Sequence, residues 1–116
     1  MLSNQDVEFL LVHAALQVQY QQSDRAISLL EVVLDIRPHC SDAKRVLAVA
    51  CLQVGCFARS ILLCEELLQL QPQEYESGLW LCLSQARWKQ NRQKEALQAH
   101  RRYVKALKSQ LNESIN

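Results

Sequence analysis

The chain is predicted to be all-α: three helix–turn–helix repeats stacked into a short right-handed superhelix, with an extended C-terminal helix. Three observations carry this. The stretch LEVVLDIRP (30–38) returns in register as CEELLQLQP (64–72), with Glu31 answering Glu65, Val33 Leu67, Leu34 Leu68, Ile36 Leu70 and Pro38 Pro72. Self-similarity at a period of about 34 residues marks a solenoid of helix pairs, each burying its apolar face against the next. Only two Gly and two Pro are present, which leaves little material for hairpin turns. Finally, the apolar residues recur at helical spacing on both sides of each short polar turn. Length and pattern together give a single domain, 1–116, with repeats at approximately 4–38, 41–72 and 75–112.

Taken in order, Ser3 and Asp6 have the spacing of a capping box that opens the first helix. Leu10, Ala14 and Val18 line one side of that helix. Ala26, Leu30 and Val33 do the same beyond the turn QQSD (21–24). In the second repeat Leu47, Cys51 and Val54 run up to Gly55, a helix terminator. Ser60, Leu63, Leu67 and Leu70 then continue to Pro72. Pro38 and Pro72 each end a second helix, since proline cannot continue the backbone ladder. Small residues recur where two helices of a pair must approach: Ala14, Ala48 and Ser84 on the first helices, Ala26, Ser60 and Ala96 on the second. Gln21, Gly55 and Asn91 each stand five residues before the second small position, inside the turn. The intervals are 34 and then 36, and QPQEYESG (71–78) holds the two extra residues. The last helix is expected to run on through Tyr103, Leu107 and Leu111, capping an array whose final face has no neighbour.

The third repeat identifies the pattern. In WLCLSQARWKQNRQKEAL (80–97), Trp80, Leu83, Ser84 and Ala96 stand at the spacing of the tetratricopeptide signature W-x2-L-G…A. The chain resembles that family with departures. His13 and Lys44 occupy places where large apolar residues are usual, and the third repeat lacks a closing proline.

Composition excludes several classes. At 49% apolar and 22% charged residues the chain is an ordinary folded one. Its longest uncharged runs, Phe9–Ser23 and Val46–Ala58, are too short for a membrane span. The start, MLSNQDVEF, carries Asp6 and Glu8 and no base, unlike a secretory signal, so a cytoplasmic location is expected. Five cysteines without a CxxC pair suit a reducing compartment and small buried thiols. No metal-ligand spacing, glycine-rich phosphate loop, HExxH or GxSxG is present, so no metal, cofactor or catalytic residue is expected. The net charge of +1 hides an asymmetry: residues 87–108 hold eight bases against Glu95 alone. A solvated helix face accounts for such charge; docking to an acidic protein surface is the alternative. No nucleic-acid motif accompanies it, and nucleic acid is not expected as a partner.

In tetratricopeptide arrays the first helices of the repeats line a concave groove. That resemblance places Glu8, Leu11, Ala15 and Val18 there from the first repeat. Arg45, Val49, Leu52 and Gln53 come from the second, and Leu81, Gln85, Trp88 and Lys89 from the third. Arrays that read acidic peptide tails need Lys, Arg and Asn on this face. Here it is mostly aliphatic and aromatic, suited to the apolar face of a partner helix. The alternative is that Leu11, Leu52 and Leu81 pack against one another, and that Trp88 packs in the core beside Tyr103.

A further resemblance is to the YscY (SctY) family of type III secretion chaperones. It is carried by EFLLVHAALQVQ (8–19), RAISLLEVVLDIRP (25–38) and GLWLCLSQAR (78–87), of which WLCLS is the most specific. The resemblance implies a bacterial cytoplasmic chaperone that binds a small exported protein of the SctX type as a 1:1 heterodimer, and a contact of the pair with the cytoplasmic part of the export gate SctV. Other readings are a chaperone for a translocator or needle subunit and a generic tetratricopeptide scaffold. Translocator chaperones carry an additional N-terminal helix that this chain lacks.

Overall fold

The computed structural model describes residues 2–70 and 75–115. Those residues form six helices: α1 (Asn4–Gln19), α2 (Ser23–Ile36), α3 (Ser41–Val54), α4 (Phe57–Leu70), α5 (Glu76–Lys89) and α6 (Gln93–Ile115). Among the described residues there is no strand. Each helix packs on the next, α1 also packs on α3, and α3 on α5. The odd-numbered helices therefore make one continuous row, with α2, α4 and α6 on its other side. The fold is all-α and repetitive, as the sequence predicts.

Local chemistry explains the breaks between helices. Ser3 caps α1: its Oγ accepts from the Asp6 N–H at 3.2 Å, and its own N–H donates to Asp6 Oδ2 at 2.9 Å. The Ser3 N–H, joined by the Ser3 hydroxyl donating to Asp6 Oδ2 at 3.0 Å, holds the Asp6 carboxyl below its ordinary pKa, because both bonds favour its charged form. The three turns inside the helix pairs are copies of one another. Gln21, Gly55 and Asn91 all adopt left-handed backbone, at φ 62°, 91° and 61°. In each turn the following N–H reaches back five residues to a carbonyl of the preceding helix: Gln22 to Gln17, Cys56 to Cys51, Arg92 to Arg87, at 2.7–2.9 Å. This is the Schellman closure. Glycine adopts it freely, asparagine with little strain and glutamine least readily.

The small positions sit where they are needed. Ala14, Ala26, Ala48, Ser60, Ser84 and Ala96 are all buried. Ser60 Oγ donates to the Ala48 carbonyl across the α3–α4 contact at 2.8 Å, so the two small residues of the second repeat touch directly. The core divides into a cluster of α1–α3 around Leu30, Leu47 and Val33, and a cluster of α3–α6 around Leu83, Cys64 and Ile61.

The departures from the tetratricopeptide pattern also have physical answers. His13 is exposed, its ring stacked on Phe9 with centroids 6.1 Å apart. Lys44 pairs with Glu66 of α4, replacing an apolar contact by a polar one. Pro38 follows the end of α2 by two residues; Pro72, and half of the segment assigned the two extra residues, lie outside the described residues. One expectation is corrected. Cys51, Cys64 and Cys82 are buried thiols, but Cys40 is half-buried and Cys56 is exposed. Cys56 directly follows Gly55, and the left-handed turn places it outside the helix pair.

Candidate partner-binding face

The row α1–α3–α5 carries the predicted groove residues, and burial sorts them. Leu11 and Val18 are only 8% exposed and belong to the α1–α3 core. Ala15, Gln85, Trp88 and Lys89 are exposed, while Arg45, Val49, Leu52 and Leu81 are half-buried. Trp88 is 54% exposed, so it is not a core residue beside Tyr103.

Two hollows gather most of the α3 and α5 residues. The first, about 450 Å³, is lined by Leu52, Ser84, Gln85, Trp88 and Lys89, and by Ala96, Leu97 and His100 of α6. Four predicted residues from two repeats meet there. The second, about 260 Å³, is lined by Arg45, Ala48, Val49, Leu79 and Cys82, with Tyr75, Ser77, Gly78 and Gln110 closing it. The Arg45 guanidinium lies 4.2 Å from the centre of the Tyr75 ring, a cation–π contact that holds both side chains at its mouth. Ala15 and Leu81 line neither hollow. Glu8 lies 3.9 Å from Arg37 at the start of the row. Gln53 accepts a hydrogen bond from Ser23 and so ties α3 to α2.

Sequence reasoning missed the share taken by α6. Leu97 is 50% exposed beside Trp88. Its signal was its place after the small residue Ala96, at the helix start that the turn folds back over α5. The basic residues of α6 also have a place. Lys94, Arg101, Lys105 and Lys108 recur at helical spacing and are all exposed, on the side away from the buried Ala96 and Ala99. They give the last helix the polar outer face that a terminal repeat requires.

The buried thiols differ in acidity. Burial pushes the Cys51 thiol up to about 11. Cys64 is raised further, by its hydrogen bond with Cys82 and by burial. These two line neither hollow and are packing groups, since the thiolate is the nucleophile; Cys82, which lines the second hollow, is lowered by its hydrogen bonds with Cys64 and Ser60 against the effect of burial. Among the described residues no three His, Cys, Asp or Glu side chains converge on a metal-sized site, and no helix is long and apolar enough to cross a membrane.

No protein-family profile matches the chain. Two curated proteins do: the chaperone protein YscY of Yersinia enterocolitica and that of Yersinia pestis. Each is 30% identical over 103 residues, which cover 89% of this chain and 89% of the relative. The chain belongs to the YscY chaperone family. The resemblance read from EFLLVHAALQVQ and WLCLS thus extends over almost the whole length. A YscY-type chaperone belongs to a family of binding proteins and not of enzymes.

Proposed function

We propose that the chain is a cytoplasmic type III secretion chaperone that holds a small exported protein of the SctX type, one to one, along the α1–α3–α5 face. Bound there, the client is kept from aggregating or assembling early and is presented to the cytoplasmic part of the export gate SctV. The observation that carries this reading is the hollow shared by Leu52, Trp88 and Leu97 in a member of a chaperone family. It is open, apolar and rimmed by Gln85, Lys89 and His100. That is the composition that seats an apolar helix face and satisfies its polar edges.

The mechanism is sequestration. A client that buries its apolar side chains against Leu52, Trp88 and Val49 gains roughly 25 cal/mol for each Å² removed from water, offset by the entropy of association. No bond is made or broken, and release needs only a competing surface at the gate. The contact with SctV rests on the resemblance alone.

The test is co-expression of the tagged chain with the exported protein that co-purifies with it. Leu52→Asp places an unpaired carboxylate in the hollow, and Trp88→Ala removes its largest wall. Both variants should keep wild-type helicity by circular dichroism and lose the client in a pull-down. Capture that survives both changes refutes the assignment of the face.

A further inference from the structure

The two ends of the array differ, and the difference points to a second interaction surface. Phe9, Val12, Leu16 and Tyr20 follow one another at helical spacing and are exposed, Phe9 at 68% and Tyr20 at 73%. They lie on the side of α1 opposite its buried residues Val7, Leu11, Ala14 and Val18, which face α2 and α3. On α2, Glu31 reaches across to Arg59 of α4 at 2.8 Å. Val32 and Ile36 lie round the helix from Glu31, away from α4, and are exposed too. The six side chains thus cover the outer side of the first helix pair, where a preceding repeat would stack.

A helix that is apolar on both sides is normally buried on both. The exposed parts of these side chains amount to on the order of 700 Å², above the few hundred of an ordinary monomer surface and close to the ~800 Å² per partner of a standard interface. We propose that the occupant of this face is a second copy of the chain, paired about a two-fold axis through α1.

Three features favour a second copy. The α1 half of the face carries no formal charge, since residues 9–23 contain no Asp, Glu, Lys or Arg, so α1 can meet itself without burying like charges; the exposed Arg25, at helical spacing from Val32 and Ile36, lies on the α2 side. Phe9 and Leu16 bracket Val12 at nearly equal spacing, so antiparallel α1 helices bring Phe9 of each copy toward Leu16 of the other. Stacking head to tail instead would set this apolar face against the basic outer face of α6, with Lys94, Arg101, Lys105 and Lys108 desolvated and unpaired. Pairing like end to like end closes as a dimer, whereas head-to-tail stacking would propagate. The face is separate from the hollows at Leu52 and Arg45, so the inference does not rest on the client reading.

Sedimentation equilibrium of the chain alone, from about 1 to about 300 µM, tests it. The mass should climb from 13.3 kDa toward twice that value. Phe9→Asp with Leu16→Asp should hold it at the monomer value, and so should Val32→Asp with Ile36→Asp. Leu52→Asp should leave dimerisation unchanged while removing the client, which separates this proposal from the previous one. A wild-type chain that is monomeric throughout overturns it, as does a dimer that persists in both double variants. If the chain is monomeric and Phe9→Asp with Leu16→Asp abolishes client capture, the face belongs to the client, and the second copy is refuted.

Discussion

Two residues assigned to one groove from the sequence should fail in different ways when truncated. Trp88 exposes 54% of its surface and belongs to neither core cluster. A tryptophan presents up to ~250 Å², so a client covering it removes on the order of 130 Å² from water. At roughly 25 cal/mol per Å² that is about 3 kcal/mol, an upper figure corresponding to ~100-fold in Kd. Trp88→Ala should therefore weaken client binding by about 10- to 100-fold while moving stability by less than about 0.5 kcal/mol, as exposed substitutions do. Leu11 is 8% exposed and packs in the α1–α3 cluster. Leu11→Ala should cost about 2–4 kcal/mol of stability through transfer and cavity terms. It should alter the affinity of the folded fraction by no more than about threefold, because little Leu11 surface remains for a client to cover. Isothermal titration with the purified client gives the first quantity and urea unfolding the second. If Trp88→Ala binds as wild type, while Leu11→Ala folds normally and loses the client, burial is not what separates groove from core here.

The equivalent turns make a second prediction: Gly55→Ala should lose about 1 kcal/mol because a Cβ is strained at positive φ, although open space surrounds it, while Gln21→Gly should gain a few tenths and Asn91→Gly less. Urea midpoints in any other order would show that the three turns are not equivalent. Cysteine reactivity should follow burial: Cys56 reacts first with a thiol reagent on the native chain, Cys40 more slowly, and Cys51, Cys64 and Cys82 only as the chain unfolds. Mass mapping of the label checks this. Acid should loosen the first turn of α1, since the folded-state pKa of Asp6 lies below its usual 3.8. Its contribution is complete above that value and is lost as pH falls through the lower, folded value, so the protection factors of the Asp6 and Val7 amides should fall there, and Asp6→Asn should abolish that pH dependence.

What could be read from the sequence was whatever the repeat imposes. A pattern written three times averages out local ambiguity. Gln21 alone is no turn signal, yet its register with Gly55 and Asn91 placed it inside the turn, where the structure gives it a left-handed backbone that glutamine rarely adopts. The small residues were legible for the same reason, because close helix approach demands them at fixed places. Groove membership was less legible. Val18 and Leu52 stand 34 residues apart and hold equivalent places in their repeats, yet Val18 is core and Leu52 lines a hollow. Their neighbours differ: Val18 packs into the α1–α3 cluster, whereas Leu52 shares an open hollow with Trp88 and Leu97 of the last repeat. A residue's repeat position sets its direction; its exposure depends on the side chains one repeat away.

The shortness of the array explains both surfaces at once. Each repeat buries its apolar face only against the next, so three repeats make two internal junctions and leave two ends. A compact chain of 13.3 kDa would expose ~6,500 Å²; this one exposes 7733 Å². Its radius of gyration is 14.7 Å, where a compact chain of this length would have ~13.4 Å. Part of the excess is the open inner row with its two hollows, and part is the uncapped end at α1. The other end is dealt with inside the chain, where α6 runs on for 23 residues and turns lysines and arginines outward. Lengthening one helix caps one end only. The apolar side chains on the first helix pair are therefore left for another polypeptide to cover, and a dedicated binding protein has reason to keep such surface that a self-sufficient fold would not.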